Sequence, residues 1–122
     1  MILRSSGVAV EAKRRHPDVR IVGVQAEQAP AYVRSWQEGR VVVTDSCDTI
    51  AEGLARLHPL EANVIAIREL VDEVRLVSER ELLDAIRVLL LDEHVVAEAA
   101  GAAATAAFLQ DPAPTPMPTL FY

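Results

Sequence analysis

Amine, thiol and imidazole side chains are scarce in these 122 residues. Eleven of the twelve basic residues are Arg, so Lys13 is the sole candidate wherever a side-chain amine is needed. It stands beside Arg14 and Arg15 at the expected end of a helix, where a lysine is ordinarily a solvated surface group. Cys47 is the only cysteine, and its neighbours Ser46 and Asp48 supply no cation to activate a thiol. A single cysteine also forms no intrachain disulfide, which fits a reducing cytoplasm. His16, His58 and His94 are far apart and none has a partner at metal-ligand spacing, so they read as surface or helix-end residues. No residue is assigned a catalytic role on this reading.

The composition narrows the classes. With 18 acidic against 12 basic residues the net charge is −6, which argues against a nucleic-acid partner. Hydrophobic residues make up 51% of the chain, which excludes a wholly disordered protein. The longest apolar run is only about five residues, too short to cross a membrane. Arg4, Lys13, Arg14 and Arg15 punctuate the start, which is unlike a signal peptide. The expectation is a cytoplasmic protein.

Helices must then alternate with buried strands. A helix is expected over residues 6–16, with Val8, Ala9, Ala12 and, less firmly, Val10 on its apolar side and Pro17 as its stop. Residues 19–24 are almost wholly apolar, as in a strand covered on both faces. A helix follows over 28–38, with Pro30 in its first turn and Gly39 as its end. Val41, Val42 and Val43 suggest a short strand or an extended stretch. Thr49 and Glu52 are spaced as a capping box for a short helix over 50–57.

Beyond Pro59, residues 61–71 read as a helix with Val64, Ile65, Ile67, Leu70 and Val71 inward, then 74–77 as a strand. Ser78 and Glu81 form a second capping box, opening a helix with Leu82, Leu83, Ile86, Leu89 and Leu90 on one face. Val95 and Val96 read as a buried link to an Ala-rich helix over 97–109, built around Gly101 for close approach. Pro112, Pro114, Pro116 and Pro118 then oppose regular structure, leaving an extended tail with Leu120, Phe121 and Tyr122 as anchors. The fold class is α/β: a partial parallel sheet of two strands and a short third, flanked by helices and part of a larger sheet. Residues 1–110 form the domain and 111–122 the Pro-rich tail.

Several stretches, in order and spacing, resemble the pyridoxal-phosphate-dependent serine/threonine dehydratases, of the tryptophan-synthase-β-like fold (fold type II). The likeness begins at Gly7-Val8-Ala9-Val10 and Pro17-Asp18-Val19-Arg20, and continues in Ala29-Pro30-Ala31. It is sharpest at Asp48-Thr49-Ile50-Ala51-Glu52-Gly53-Leu54-Ala55, where the family reads D-T-I-A-D-G-L-A. It runs on through Ile67-Arg68-Glu69-Leu70-Val71-Asp72 and Leu76-Val77-Ser78. It closes on Val95-Val96-Ala97-Glu98-Ala99-Ala100-Gly101-Ala102, where the family reads V-V-E-P-A-G-A-A. The resemblance implies a later part of that family's large domain.

It also implies what to look for. The family's cofactor-bearing lysine belongs to a segment with no counterpart here, and Lys13 does not replace it. The glycine loop that cradles the cofactor phosphate falls immediately before Gly7, where this chain has Met1-Ile2-Leu3-Arg4-Ser5-Ser6. The S-G-G-N strand that meets the pyridine nitrogen gives way to Asp111-Pro112-Ala113-Pro114. What remains by resemblance is a vestigial pocket wall of Glu52, Gly53 and Glu98. Each has a structural reading as well: a capping partner, a turn glycine and a charge at a helix N-terminus. The positions matching the divalent-cation site of some members are Gln25, Ala29 and Ala31, which lack its two carboxylates, so no metal is expected.

Two functions remain open. In the first the chain is a truncated serine/threonine dehydratase, a lyase converting L-serine or L-threonine to a 2-oxo acid and ammonia, inactive unless another chain brings the missing parts. That chain would be a complementary N-terminal half, and no bound cofactor is expected without it. In the second it is a non-catalytic structural or small-molecule-binding protein. A homodimer is expected, with no nucleic-acid or membrane partner.

Overall fold

The computed structural model describes residues 3–111 and 118–122. Strand β1 (Arg20–Ala26) is the centre of the molecule. Its apolar run resolves into two buried faces, with Ile21, Val22 and Ala26 wholly buried. Strand β2 (Glu73–Val77) pairs with it in parallel, from Val22 opposite Glu73 to Ala26 opposite Val77. Strand β3 (Thr119–Phe121) pairs on its other side, also in parallel, with Ile21 opposite Leu120. The order is therefore β2-β1-β3. The residues expected to lie as an extended tail thus end in a strand. Arg20 N–H donates to the Pro118 carbonyl at 2.9 Å, and Val24 N–H to that of Tyr122 at 2.8 Å. The expectation for Pro112, Pro114 and Pro116 lies outside the described residues.

Helices cover both faces. Helix α1 (Leu3–Arg15) and α3 (Glu61–Leu70) lie over Ile21, where Ala9, Val19 and Val71 form one core. Helix α4 (Glu79–Leu91) and α5 (Ala99–Gln110) cover the other face. Their core joins Ala26, Val77, Leu82 and Ala85 to five alanines of α5: Ala99, Ala102, Ala103, Ala106 and Ala107. A side of methyl groups lets α5 approach α4 and the sheet closely. Gly101, expected at that approach, is exposed on the opposite side, and the alanines carry the contact.

Helix α2 (Ala31–Glu38) begins after Pro30, which is its N-cap rather than part of its first turn. Pro30 has no side-chain oxygen to offer, and Gln25 does the capping from β1: its side-chain oxygen accepts from Val33 N–H at 2.8 Å. Gly39 ends the helix in the left-handed conformation, φ 70°, as its sequence position implies.

Four local expectations are corrected. Val41, Val42 and Val43 form no strand, because Val42 N–H bonds back to the Ser35 hydroxyl at 2.8 Å. Thr49 caps no helix: only a 3-10 turn forms, Glu52–Leu54, and it begins after Ala51. Val95 and Val96 are exposed, not buried: α4 ends at Leu91, and His94, in the connection beyond it, takes a positive φ of 57° just before them. Val8, Val10, Ile65, Leu83 and Leu90 are also exposed, so the inward faces are narrower than the apolar patterns suggested. The Ser78–Glu81 capping box forms as expected, with Ser78 N–H donating to the Glu81 carboxylate at 2.7 Å.

The amino ends of β1 and β2 are locked electrostatically. Asp72 accepts from Ile21 N–H at 2.8 Å and from Lys13 Nζ at 2.9 Å, while its own N–H donates to the Ile21 carbonyl. The Ile21 N–H first, and then Lys13, hold the Asp72 carboxyl below its ordinary value of 3.8. Its folded value is depressed, so its contribution is present above the ordinary value and is lost as pH falls through the folded one. Asp72→Asn should therefore lower the Tm clearly at about pH 7 and progressively less as pH falls through the folded value, where wild type loses the same charge. Thermal melts of both proteins across that range check this; an equal penalty at both ends would refute it.

Candidate functional site

An open parallel sheet places ligands beyond the carboxyl ends of its strands, where the strand order reverses. Here that point is the seam between β1 and β3. The chain leaves β1 for β2 on one side and then crosses to β3 on the other. The same end of the sheet carries the segment between α2 and α3, which includes the Glu52–Leu54 turn, and the start of α5.

Gly53 sits where these elements meet. A Cβ added to it would lie 2.9 Å from the Cβ of Ala100, in the first turn of α5. The turn can approach the helix this closely only because residue 53 has no side chain. Ala51, wholly buried in the α4–α5 core, anchors the turn from below, and Leu54 N–H donates to its carbonyl at 2.8 Å. Glu52 is exposed on the turn. Glu98 is the N-cap of α5: its carbonyl accepts from Ala102 N–H, but its side chain makes no capping bond and is exposed.

A cavity of about 180 Å³ runs from the Gly53 turn across β1 to the α3 side of the sheet, lined by Gly23, Gly53, Ile67, Val71, Val74 and Tyr122 among others. Its walls are mainly apolar. Of the three residues assigned to a pocket wall from sequence, the cavity takes in Gly53 and leaves out Glu52 and Glu98. The resemblance could not show that the two carboxylates point to solvent, since that depends on how the turn and α5 are tilted.

The other candidates lie elsewhere. Lys13 is at the opposite end of the sheet, its ammonium held by the Val19 carbonyl at 2.8 Å and by Asp72. The seven residues of β1 put it about 20 Å from the carboxyl edge, at roughly 3.3 Å per residue. Cys47 is half-buried against the α4–α5 core. His16, His58 and His94 are exposed. Gln25 is buried and its side-chain oxygen is committed to α2.

Sequence reasoning missed the role of Tyr32. Its hydroxyl accepts from Leu60 N–H at 3.3 Å and from the Asn63 amide at 3.4 Å, so it ties α2 to α3 beside the cavity, which it also lines.

Pyridoxal phosphate fits the described residues only in part. Gly53 presents a flat backbone wall of the kind an aromatic ring can lie against. The phosphate finds no matching cradle: the chain is already helical from Leu3, and His94 and Gly39, both remote, are the only described residues with positive φ. A glycine nest of N–H groups needs that left-handed backbone. Arg56, the cation among the lining residues, is exposed and turned to the Ala55 carbonyl. These residues can border the cofactor but do not anchor it.

The chain resembles known proteins in sequence and in fold. A family model described as pyridoxal-phosphate dependent enzyme matches residues 4–116. The L-threonine ammonia-lyase of Thermotoga maritima is 39% identical over 104 residues, which is 85% of this chain and 26% of that protein. The catabolic L-threonine dehydratase TdcB of Escherichia coli is 36% identical over the same length, 85% of this chain and 32% of that one. The chain thus spans about a quarter to a third of the length of these curated relatives. Among solved structures, a threonine deaminase from T.th. superposes with a TM-score of 0.86 at 32% identity, covering 95% of this chain and 43% of that one. Maize serine racemase gives 0.85 at 29% identity, covering 96% and 37%.

Gly53→Ala should cost about 1–3 kcal/mol, because the new methyl group overlaps Ala100. Ala100→Gly in the same chain should recover most of that loss. A double-mutant cycle by urea unfolding measures it, and additive effects would show that the two residues do not share the contact.

Proposed function

This chain belongs to the pyridoxal-phosphate dependent enzyme family, and we propose that it is the later part of the large domain of a serine/threonine dehydratase. The observation that carries this reading is the Gly53 turn seated on the first turn of α5, at the carboxyl edge of the sheet. There the sequence most like the dehydratases supplies one wall of a ligand site. The reaction of the complete enzyme would be elimination from L-serine or L-threonine to a 2-oxo acid and ammonia. The cofactor, when bound, supplies the electron sink for that chemistry. The residues of this chain border the site and exclude water from one side; Glu52 and Glu98 flank it as exposed charges.

Alone, the chain is inactive on this proposal. Its only amine side chain, Lys13, is held by Asp72 and the Val19 carbonyl at the amino end of β1 and is not among the residues lining the cavity. The lysine, the phosphate cradle and the partner of the pyridine nitrogen would come from a complementary N-terminal half. Pyridoxal phosphate added to the purified chain should therefore give no stoichiometric visible band, and serine and threonine deamination should be undetectable. Deamination that appears on mixing with the N-terminal half of a related dehydratase would support the assignment. A stoichiometric band from the chain alone would overturn the inactive reading.

A second reading, a non-catalytic homo-oligomer on the same scaffold, is favoured by an open edge of the sheet. Among the described residues β2 has one strand neighbour, β1, so its other edge is open to pairing. Leu83 and Leu90 are exposed on α4, with Leu91, Val95 and Val96 beyond them. Two copies could cover one another's open edges, and a stable dimer of that kind buries at least about 1,200 Å². Light scattering at micromolar concentration should give twice the chain mass; a well-folded monomer would refute it.

A further inference from the structure

The segment that carries Gly53 is long. Residues 39–60 join α2 to α3 with a single 3-10 turn, although unstructured connections beyond about 12–15 residues are uncommon in compact domains. Such a segment needs fixed points if it is to hold a wall against α5. Its middle has one made of side-chain chemistry. Glu79, the first residue of α4, accepts from the Thr49 hydroxyl at 2.6 Å with one carboxylate oxygen. With the other it accepts from Ile50 N–H at 2.9 Å. The Thr49 hydroxyl in turn accepts from Ala51 N–H at 3.1 Å. Thr49 is thus fully used, as donor to Glu79 and acceptor from Ala51, which accounts for a threonine here that caps no helix.

We propose that Glu79 is a positioning residue whose two carboxylate oxygens clamp Thr49 and Ile50 and so set the distance of Gly53 from Ala100 at the carboxyl edge of the sheet. The role in a ligand site rests on the dehydratase reading; the clamp itself does not. The path from clamp to wall is short. Thr49 and Ile50 lead directly to buried Ala51, Ala51 starts the turn, and Gly53 is its second residue. Glu79 is itself well fixed. It follows Ser78, whose capping box closes the start of α4, and its charge lies at the positive end of the helix dipole. Besides the clamp, Ala51 packs in the core with Cys47 and Leu54 against it. Val42 N–H bonds to Ser35 and Thr44 N–H to the Leu57 carbonyl, both outside the stretch 47–54, so they cannot set the Gly53 turn.

Amide exchange and NMR on the 122-residue chain test this. Glu79→Ala and Thr49→Val should each speed exchange at Leu54 and Ala55, whose N–H groups close the turn, by at least about tenfold, the loss expected for hydrogen bonds to a charged acceptor. Both should weaken the cross-peak between the Gly53 amide and the Ala100 methyl group, with amides of β1 and α5 unchanged. Thr49→Ser, which keeps the hydroxyl, should restore both signals. The Gly53–Ala100 cross-peak surviving at full intensity in either folded variant would overturn the proposal. So would acceleration spread evenly over the whole chain, which marks a residue that only stabilises the fold. Thr49→Val leaves the charge of Glu79 in place and decides the matter if Glu79→Ala does not fold. No readout involves cofactor or turnover, so a failure of the clamp and a failure of the dehydratase reading, tested by deamination on mixing, are separately visible.

Discussion

Everything in this molecule is arranged around a parallel strand that must be paired on both edges and covered on both faces. In β1, Ile21, Val22 and Ala26 are wholly buried, and no antiparallel neighbour is present among the described strands to allow a short hairpin. Parallel neighbours require crossovers, and crossovers bring the helices that cover the sheet. The faces differ in kind. On one, α1 and α3 enclose Ile21 with branched side chains. On the other, α5 lays five buried alanines against α4 and the sheet. Small residues trade area for proximity, and that proximity brings the start of α5 near enough for Gly53 to touch it.

The polar groups divide the two ends of the sheet by task. At the amino end, Lys13, Asp72, Val19 and Ile21 form a closed set of bonds that finishes the strands. Arg75 links β2 to the remaining elements: it donates to the Ala107 carbonyl of α5 and stands 5.4 Å over the ring of Phe121 in β3. That ring meets Phe108 of α5 edge-on at 6.1 Å. At the carboxyl end the polar groups serve a long irregular segment instead. Backbone not paired in a strand or helix is stabilised there by Ser35, Thr49, Glu79 and Tyr32. An end finished by closed ion pairs has little chemistry left to offer. The cavity reaches from the turn that carries Gly53 to Val71 and Val74 beside β2.

The family relationship fits this division. The likeness to dehydratases extends over both ends of the sheet. On the proposed reading this chain would supply a wall of the cofactor site, acting through backbone shape at Gly53. Anchors need particular donors at particular places, and the described residues do not gather them around the cavity.

Much of this was legible from sequence, for local reasons. The strand at β1, the left-handed Gly39, the capping box of Ser78 and Glu81 and the alanine helix each depend on a few adjacent residues, and each formed. The motif around Gly53 was legible only as a resemblance. What required tertiary structure was every choice between equally good local options. Thr49 and Glu52 satisfy the spacing of a capping box, but Glu79, 30 residues away, takes the Thr49 hydroxyl instead. Val41, Val42 and Val43 have the composition of a strand, but both places beside β1 belong to β2 and β3. Glu52 and Glu98 flank a site in sequence yet face solvent, because the tilt of one turn against one helix sets their direction. Sequence determined which residues prefer to be buried, to cap or to turn; the packing of distant segments decided which preference each one could satisfy, since one hydroxyl or one sheet edge can serve only one partner at a time.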